Sequence, residues 1–149
     1  MTENEALNRM MSYCSGAEHC SSEIRGKLLN WGFEADVIGG ILSHLEKEKF
    51  IDNERYARSF VNDKFHFAKW GKVKIKQALY VKQIPPEVIN QGLREIDEEE
   101  YLGVLQGLLE RKKETIHAKD EYEQKGKLVR YALGKGFEIW DIEKCMERG

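Results

Sequence analysis

Three stretches of the chain can be laid over one another without a gap: "EIRGKLLNWGFEADVIGGIL" (23–42), "KIKQALYVKQIPPEVINQGL" (74–93) and "KLVRYALGKGFEIWDIEKCM" (127–146). Ile24, Ile75 and Leu128 coincide, as do Leu28, Leu79 and Ala132, then Phe33, Ile84 and Phe137, then Ile38, Ile89 and Ile142. Leu42, Leu93 and Met146 close the series. An internal repeat constrains a fold more than any single motif. Each copy is one supersecondary unit, and a unit this small must stack on its neighbours to bury an apolar face.

Within each copy the apolar residues recur at spacings of three and four, the period of a helix face. Each stretch therefore reads as two amphipathic helices joined by "WGF", "KQI" or "KGF". Gly32 and Gly136 stand where a helix ends in the left-handed conformation that glycine takes without steric cost. Gln83 fills that place in the middle copy, and Pro85-Pro86 restarts the chain at a helix N-terminus. A further helix precedes each pair, over 4–14, 53–67 and 98–114, opening on acids that suit a helix start. Leu7, Tyr56 and Tyr101 are matched across these leading helices, and Asp52 is the N-cap candidate of the second. The expected fold is all-α: tandem three-helix repeats, about nine helices, elongated and curved. The units run over 1–50, 51–96 and 97–149.

Composition supports this and narrows the function. Of 149 residues, 34% are charged and 41% hydrophobic, with only two prolines to interrupt helices. No apolar run approaches the roughly 18 to 20 residues of a membrane span. The polar start "MTENEALNRM" is unlike a secretory signal, so a cytoplasmic protein without membrane contact is expected. Cys14, Cys20 and Cys145, an odd number, fit free thiols in a reducing compartment. The spacing of Cys14, His19 and Cys20 is not that of a zinc site, so no metal is expected. No phosphate-cradling glycine loop, paired catalytic carboxylates or nucleophile–base motif is present. The expectation is a protein with no catalytic residue and no cofactor.

Charge is distributed unevenly. The formal net charge is -2, yet "KFHFAKWGKVKIKQALYVKQIPP" (64–86) holds six lysines and no acid. Lys69, Lys72, Lys74, Lys76 and Lys82 gather around a helix that starts after Trp70-Gly71. Helix-start amides beside lysines make a plausible phosphate site. Lysine without arginine fits nonspecific attraction to phosphate, not base readout. The equivalent helices of the other copies carry Arg25 and Lys27, then Lys127 and Arg130, so stacking could build a positive stripe. A solvated helix face accounts for the same residues. Phe65, Phe67 and Trp70 are expected as core or inter-helix wedges, not as base-stacking platforms.

The segment "FIDNERYARSFVNDKF", followed by "WGKVKIKQAL", resembles the RecX family of regulatory proteins. So does "SSEIRGKLLNWGF" (21–33) upstream. The matching residues are Ile51-Asp52, Arg55-Tyr56-Ala57, Phe60-Val61, Gly71, Lys74-Ile75 and Leu79. The resemblance implies a non-enzymatic modulator of the recombinase RecA, acting in DNA repair, recombination and the SOS response. Its partner would be the RecA nucleoprotein filament, bound in the groove and inhibited in ATP hydrolysis, strand exchange and stimulated repressor cleavage. Weak, nonspecific DNA contact and a monomeric state complete that expectation.

Lys69, Lys72, Lys74, Lys76, Lys82, Arg55, Arg58, Arg25, Lys27, Lys127 and Arg130 are the candidate contact residues for RecA or DNA. Asp52, Tyr56, Phe60, Trp70, Gly71 and Leu79 are assigned structural roles, as cap, connection and packing. Two other readings stay open from the residues alone. One is a standalone DNA-binding helical repeat; the other is a structural adaptor between proteins.

Overall fold

The structure, a computed structural model, describes residues 1–148. Its secondary structure among the described residues is nine helices and no strand. The first trio is α1 (Glu3–Gly16), α2 (Ser21–Asn30) and α3 (Ala35–Lys47). The second is α4 (Asn53–His66), α5 (Lys72–Val81) and α6 (Pro86–Arg94). The third is α7 (Glu98–Thr115), α8 (Glu121–Gly134) and α9 (Ile139–Arg148). Local chemistry sets the ends. Thr2, Asp52, Asp97 and Asp120 each accept backbone N–H bonds in the first turn of the following helix.

The same turn recurs after each second helix. Gly32, Gln83 and Gly136 have φ of 86°, 63° and 99°, and their amides donate to Leu29, Tyr80 and Leu133 carbonyls. The next residue in each case, Phe33, Ile84 or Phe137, donates to the carbonyl one residue further back, that of Leu28, Leu79 or Ala132. This is the paired hydrogen-bond pattern that closes a helix through a left-handed residue. Gln83 adopts it despite its Cβ, so the fold imposes the turn there rather than the residue type.

One expected register needs correcting. Ala6, Met10 and Cys14 are the buried residues of α1, at the same spacing as Ala57, Val61 and Phe65 of α4. The offset between these sets is the one that relates Ile24 to Ile75, so Leu7 corresponds to Arg58 and not to Tyr56. Leu7 only flanks the core. Leu7 lies on the edge of the α1 apolar stripe, and Ala6, Met10 and Cys14 form its centre.

The first trio has a core of its own, closed by Ile51 from beyond α3. The second and third trios share one core. Tyr101 bridges them, its ring 5.7 Å from Phe65 and 5.2 Å from Phe137. Stacking therefore stabilises the last two trios more than the first. The surface area is 9294 Å², against roughly 7,900 Å² for a compact monomer of this mass. That surplus belongs to an extended stack.

Candidate partner-binding face

The second helix of each trio meets its neighbour end to end. At the joint between the first two trios, the Lys82 carbonyl at the C-terminus of α5 accepts from Ser22 Oγ in the first turn of α2 (2.7 Å). At the next joint, the Lys135 carbonyl at the end of α8 accepts from the Gly71 amide at the start of α5 (2.8 Å). The Gly136 carbonyl accepts from Val73 beside it (2.9 Å). The order along the molecule is α8, α5, α2, each C-terminus on the next N-terminus. That arrangement places opposite ends of the helix dipoles together.

The joint corrects the expectation of a phosphate site on the α5 amides. The Lys72 amide donates to the Tyr101 hydroxyl (2.9 Å) and the Val73 amide to Gly136. These donors face protein. Burial holds the Tyr101 hydroxyl well above its ordinary pKa, so it remains a neutral phenol that can accept this bond.

The candidate cations separate by environment. Arg55 is tied into the first joint: it donates to Glu18 and to the Lys49 carbonyl (3.1 Å), linking the first trio to α4. Lys82 pairs with Glu23 at 3.4 Å, and Lys72 with Glu98 at 3.5 Å while its Nζ lies 4.5 Å above the Tyr101 ring. Lys74 sits over Trp70 (4.5 Å) and Lys27 over Tyr13 (4.6 Å). Lys127 pairs with Glu123 at 3.2 Å. Lys69 is half-buried, in a left-handed turn with φ 57°. Arg25, Arg58, Lys76 and Arg130 are exposed. None of these four is in an ion pair within 4.0 Å among the described residues.

Glu23 holds the first joint in a second way. Its carboxylate accepts from the Cys20 amide (3.1 Å), capping α2. Burial pushes its pKa up, but the Cys20 hydrogen bond and Lys82 outweigh this and hold it below the ordinary value.

Among the residues assigned to structure, Asp52 caps α4 through bonds from Glu54 and Arg55 amides (3.0 and 3.1 Å). Tyr56 and Leu79 are buried, and Phe60 packs edge-on to Trp70. Gly71 has φ -77° and ψ 166°, which any residue can adopt. It is required for space: a Cβ there would lie 2.3 Å from the Gly136 backbone. Phe65 is fully buried, but Phe67 is 81% exposed at the end of α4 and is no wedge. The three cysteines are free and buried. Among the described residues no cluster of metal-ligating side chains occurs, and no helix is long and apolar enough to cross a membrane.

A repeated feature escaped the sequence reading. Leu29, Tyr80 and Leu133 occupy one column of the repeat and are 57%, 71% and 47% exposed. Each follows an exposed base by three or four residues: Arg25, Lys76 and Arg130 respectively. That spacing puts base and apolar side chain on one helix face, a turn apart. Because each joint sets the end of one second helix against the start of the next, the couplet recurs along the line α2–α5–α8. On α5 it borders an apolar groove toward α6, lined by Val73, Tyr80, Val81, Ile89 and Leu93, with Lys72 and Lys76 on its rim.

Comparison with known proteins agrees with the repeat. Residues 6–45, 52–93 and 98–146 match the family models for the first, second and third three-helix domains of RecX. Regulatory protein RecX of Prosthecochloris aestuarii is 29% identical over 143 residues, covering 96% of this chain and 92% of its own length. That of Chlorobium limicola is 28% identical, covering 96% and 87%. The crystal structure of RecX from Lactobacillus salivarius superposes with a TM-score of 0.90 at 20% identity, over 98% of this chain and 95% of the other.

Proposed function

Because the chain belongs to the RecX family of regulatory proteins, we propose that it regulates the RecA recombinase, without catalysis of its own, by binding the RecA–DNA filament. Inhibition of ATP hydrolysis, strand exchange and stimulated repressor cleavage then follows from occupation of the filament. The chain acts in the cytoplasm as a monomer, and each trio (1–50, 51–96, 97–149) supplies one contact.

The observation that carries this reading is the couplet of exposed base and exposed apolar residue, repeated on α2, α5 and α8. A surface that repeats suits a partner that repeats. Its chemistry favours protein over bare DNA. Phosphate attraction needs only cations and weakens steeply with salt, whereas Leu29, Tyr80 and Leu133 gain by leaving water against another apolar surface. Direct DNA contact is then secondary, made by the lysines.

The test is co-sedimentation with RecA filaments assembled on single-stranded DNA. Lys76→Glu and Tyr80→Ser should each weaken binding about tenfold or more, as central interface residues do. Lys113→Glu, an exposed change on α7, should not. Equal binding by all three variants would place the contact elsewhere on the chain.

A further inference from the structure

The two joints set equivalent helix ends together and are opposite in charge. Glu23 and Lys82 close the first joint as an ion pair at 3.4 Å. In the repeat, these positions correspond to Lys74 and Lys135. The second joint therefore brings lysine to lysine where the first has a carboxylate. Lys135 Nζ is held on the Ala68 carbonyl at 3.0 Å. Burial lowers its pKa, and the charges of Lys74 and Lys69 push it the same way. Lys64 and Lys74 both set Nζ within 5 Å of the Trp70 ring centre, at 4.8 and 4.5 Å. Among the described residues, none of Lys64, Lys69, Lys74 and Lys135 has a carboxylate within 4.0 Å.

We propose that Lys69, Lys74 and Lys135 form a binding site for a phosphoryl oxyanion at the joint between the second and third trios. Each ammonium carries three donors; Lys135 uses one on Ala68 and keeps two for a ligand. A phosphoryl group supplies the negative charge that Glu23 provides at the first joint, and it bridges residues of both trios. The site does not use the α5 amides, which are engaged elsewhere. Nor does it rest on the RecA reading, since the ligand is tested on this chain alone.

The experiment is calorimetric titration of the full chain, in a low-salt chloride buffer, with pyrophosphate and separately with a short oligothymidylate. Saturable binding is expected for the wild type. Lys69→Gln and Lys135→Gln, made singly, should each weaken it about tenfold or more, the scale of a lost hydrogen bond to a charged group. Lys135→Arg, which keeps charge and donors, should retain most of it, and Lys113→Gln all of it. Melting in chloride confirms that each variant is folded. Pyrophosphate binding would identify a free phosphate as sufficient; binding of the oligonucleotide alone would identify a phosphodiester backbone. No binding of either ligand by the wild type, or equal affinity in the glutamine variants, overturns the site.

Discussion

Replacing Gly71 by alanine should loosen the second joint at a cost that the geometry sets. The added Cβ would stand 2.3 Å from both the carbonyl carbon and oxygen of Gly136 and 2.4 Å from the Phe137 nitrogen. Ordinary contact begins near 3.4 Å, so the backbones must separate by about 1 Å, and no flexible side chain can give way instead. Such a movement breaks or stretches three hydrogen bonds: Gly71 to Lys135, Val73 to Gly136, and Lys72 to the Tyr101 hydroxyl. At about 1 kcal/mol each, with some loss of packing around Phe137, the expected destabilisation is about 3–4 kcal/mol. The backbone conformation adds nothing, because φ at Gly71 is -77°. Urea unfolding followed by circular dichroism and tryptophan fluorescence measures the effect. For a chain of this size, a melting point lower by about 8–15 °C should accompany it. Gly39→Ala is the control: it lies within α3 with nothing within 4 Å of the new Cβ, and should gain about 0.5–1 kcal/mol. A loss below about 1 kcal/mol in Gly71→Ala would refute the close apposition of the two backbones.

Other perturbations probe the turns and the first joint. Gln83→Gly should stabilise the chain by about 1 kcal/mol in urea unfolding, because it removes a Cβ from a residue held at φ 63°; an unchanged midpoint would mean that the turn carries no strain. Glu23→Gln should destabilise by about 1 kcal/mol at neutral pH, by weakening the cap and the pair with Lys82. The Glu23 pKa is depressed on folding, so its stabilising effect is complete above the unfolded value near 4.5 and disappears as pH falls through the folded one. Wild type and variant should accordingly converge in acid, and a gap that persists at pH 3 would show that charge is not the cause.

The repeat made most of the fold legible in the sequence, since Ile24, Ile75 and Leu128 fix the same core position three times and Gly32 and Gly136 mark the same turn. Even Gln83 could be placed, because its neighbours Leu79 and Ile84 kept the register. The leading helices were harder. Leu7 lies at the edge of the α1 stripe, and one apolar residue does not settle which of two adjacent faces is inward. The candidate site was legible in part. Exposed Arg25, Lys76 and Arg130 stood out by charge, but Arg55 looked equally available and is held by Glu18, a residue 37 positions away. No local pattern reports such a partner. Leu29, Tyr80 and Leu133 shared a column in plain view. Their spacing to neighbouring core residues reads as more core until the joints show which face is covered. The occupied amides of α5 depend on Gly136 and Tyr101, from another trio, and could be seen only after folding.

The most direct test is RecA's single-stranded-DNA-dependent ATP hydrolysis, with this chain added at amounts well below RecA. Hydrolysis should fall substoichiometrically with the wild type, and a variant carrying Arg25→Glu, Lys76→Glu and Arg130→Glu should leave it nearly unchanged while melting as the wild type does. No fall at any ratio, or an equal fall with the charge-reversed variant, would contradict regulation of RecA through the repeated face of α2, α5 and α8.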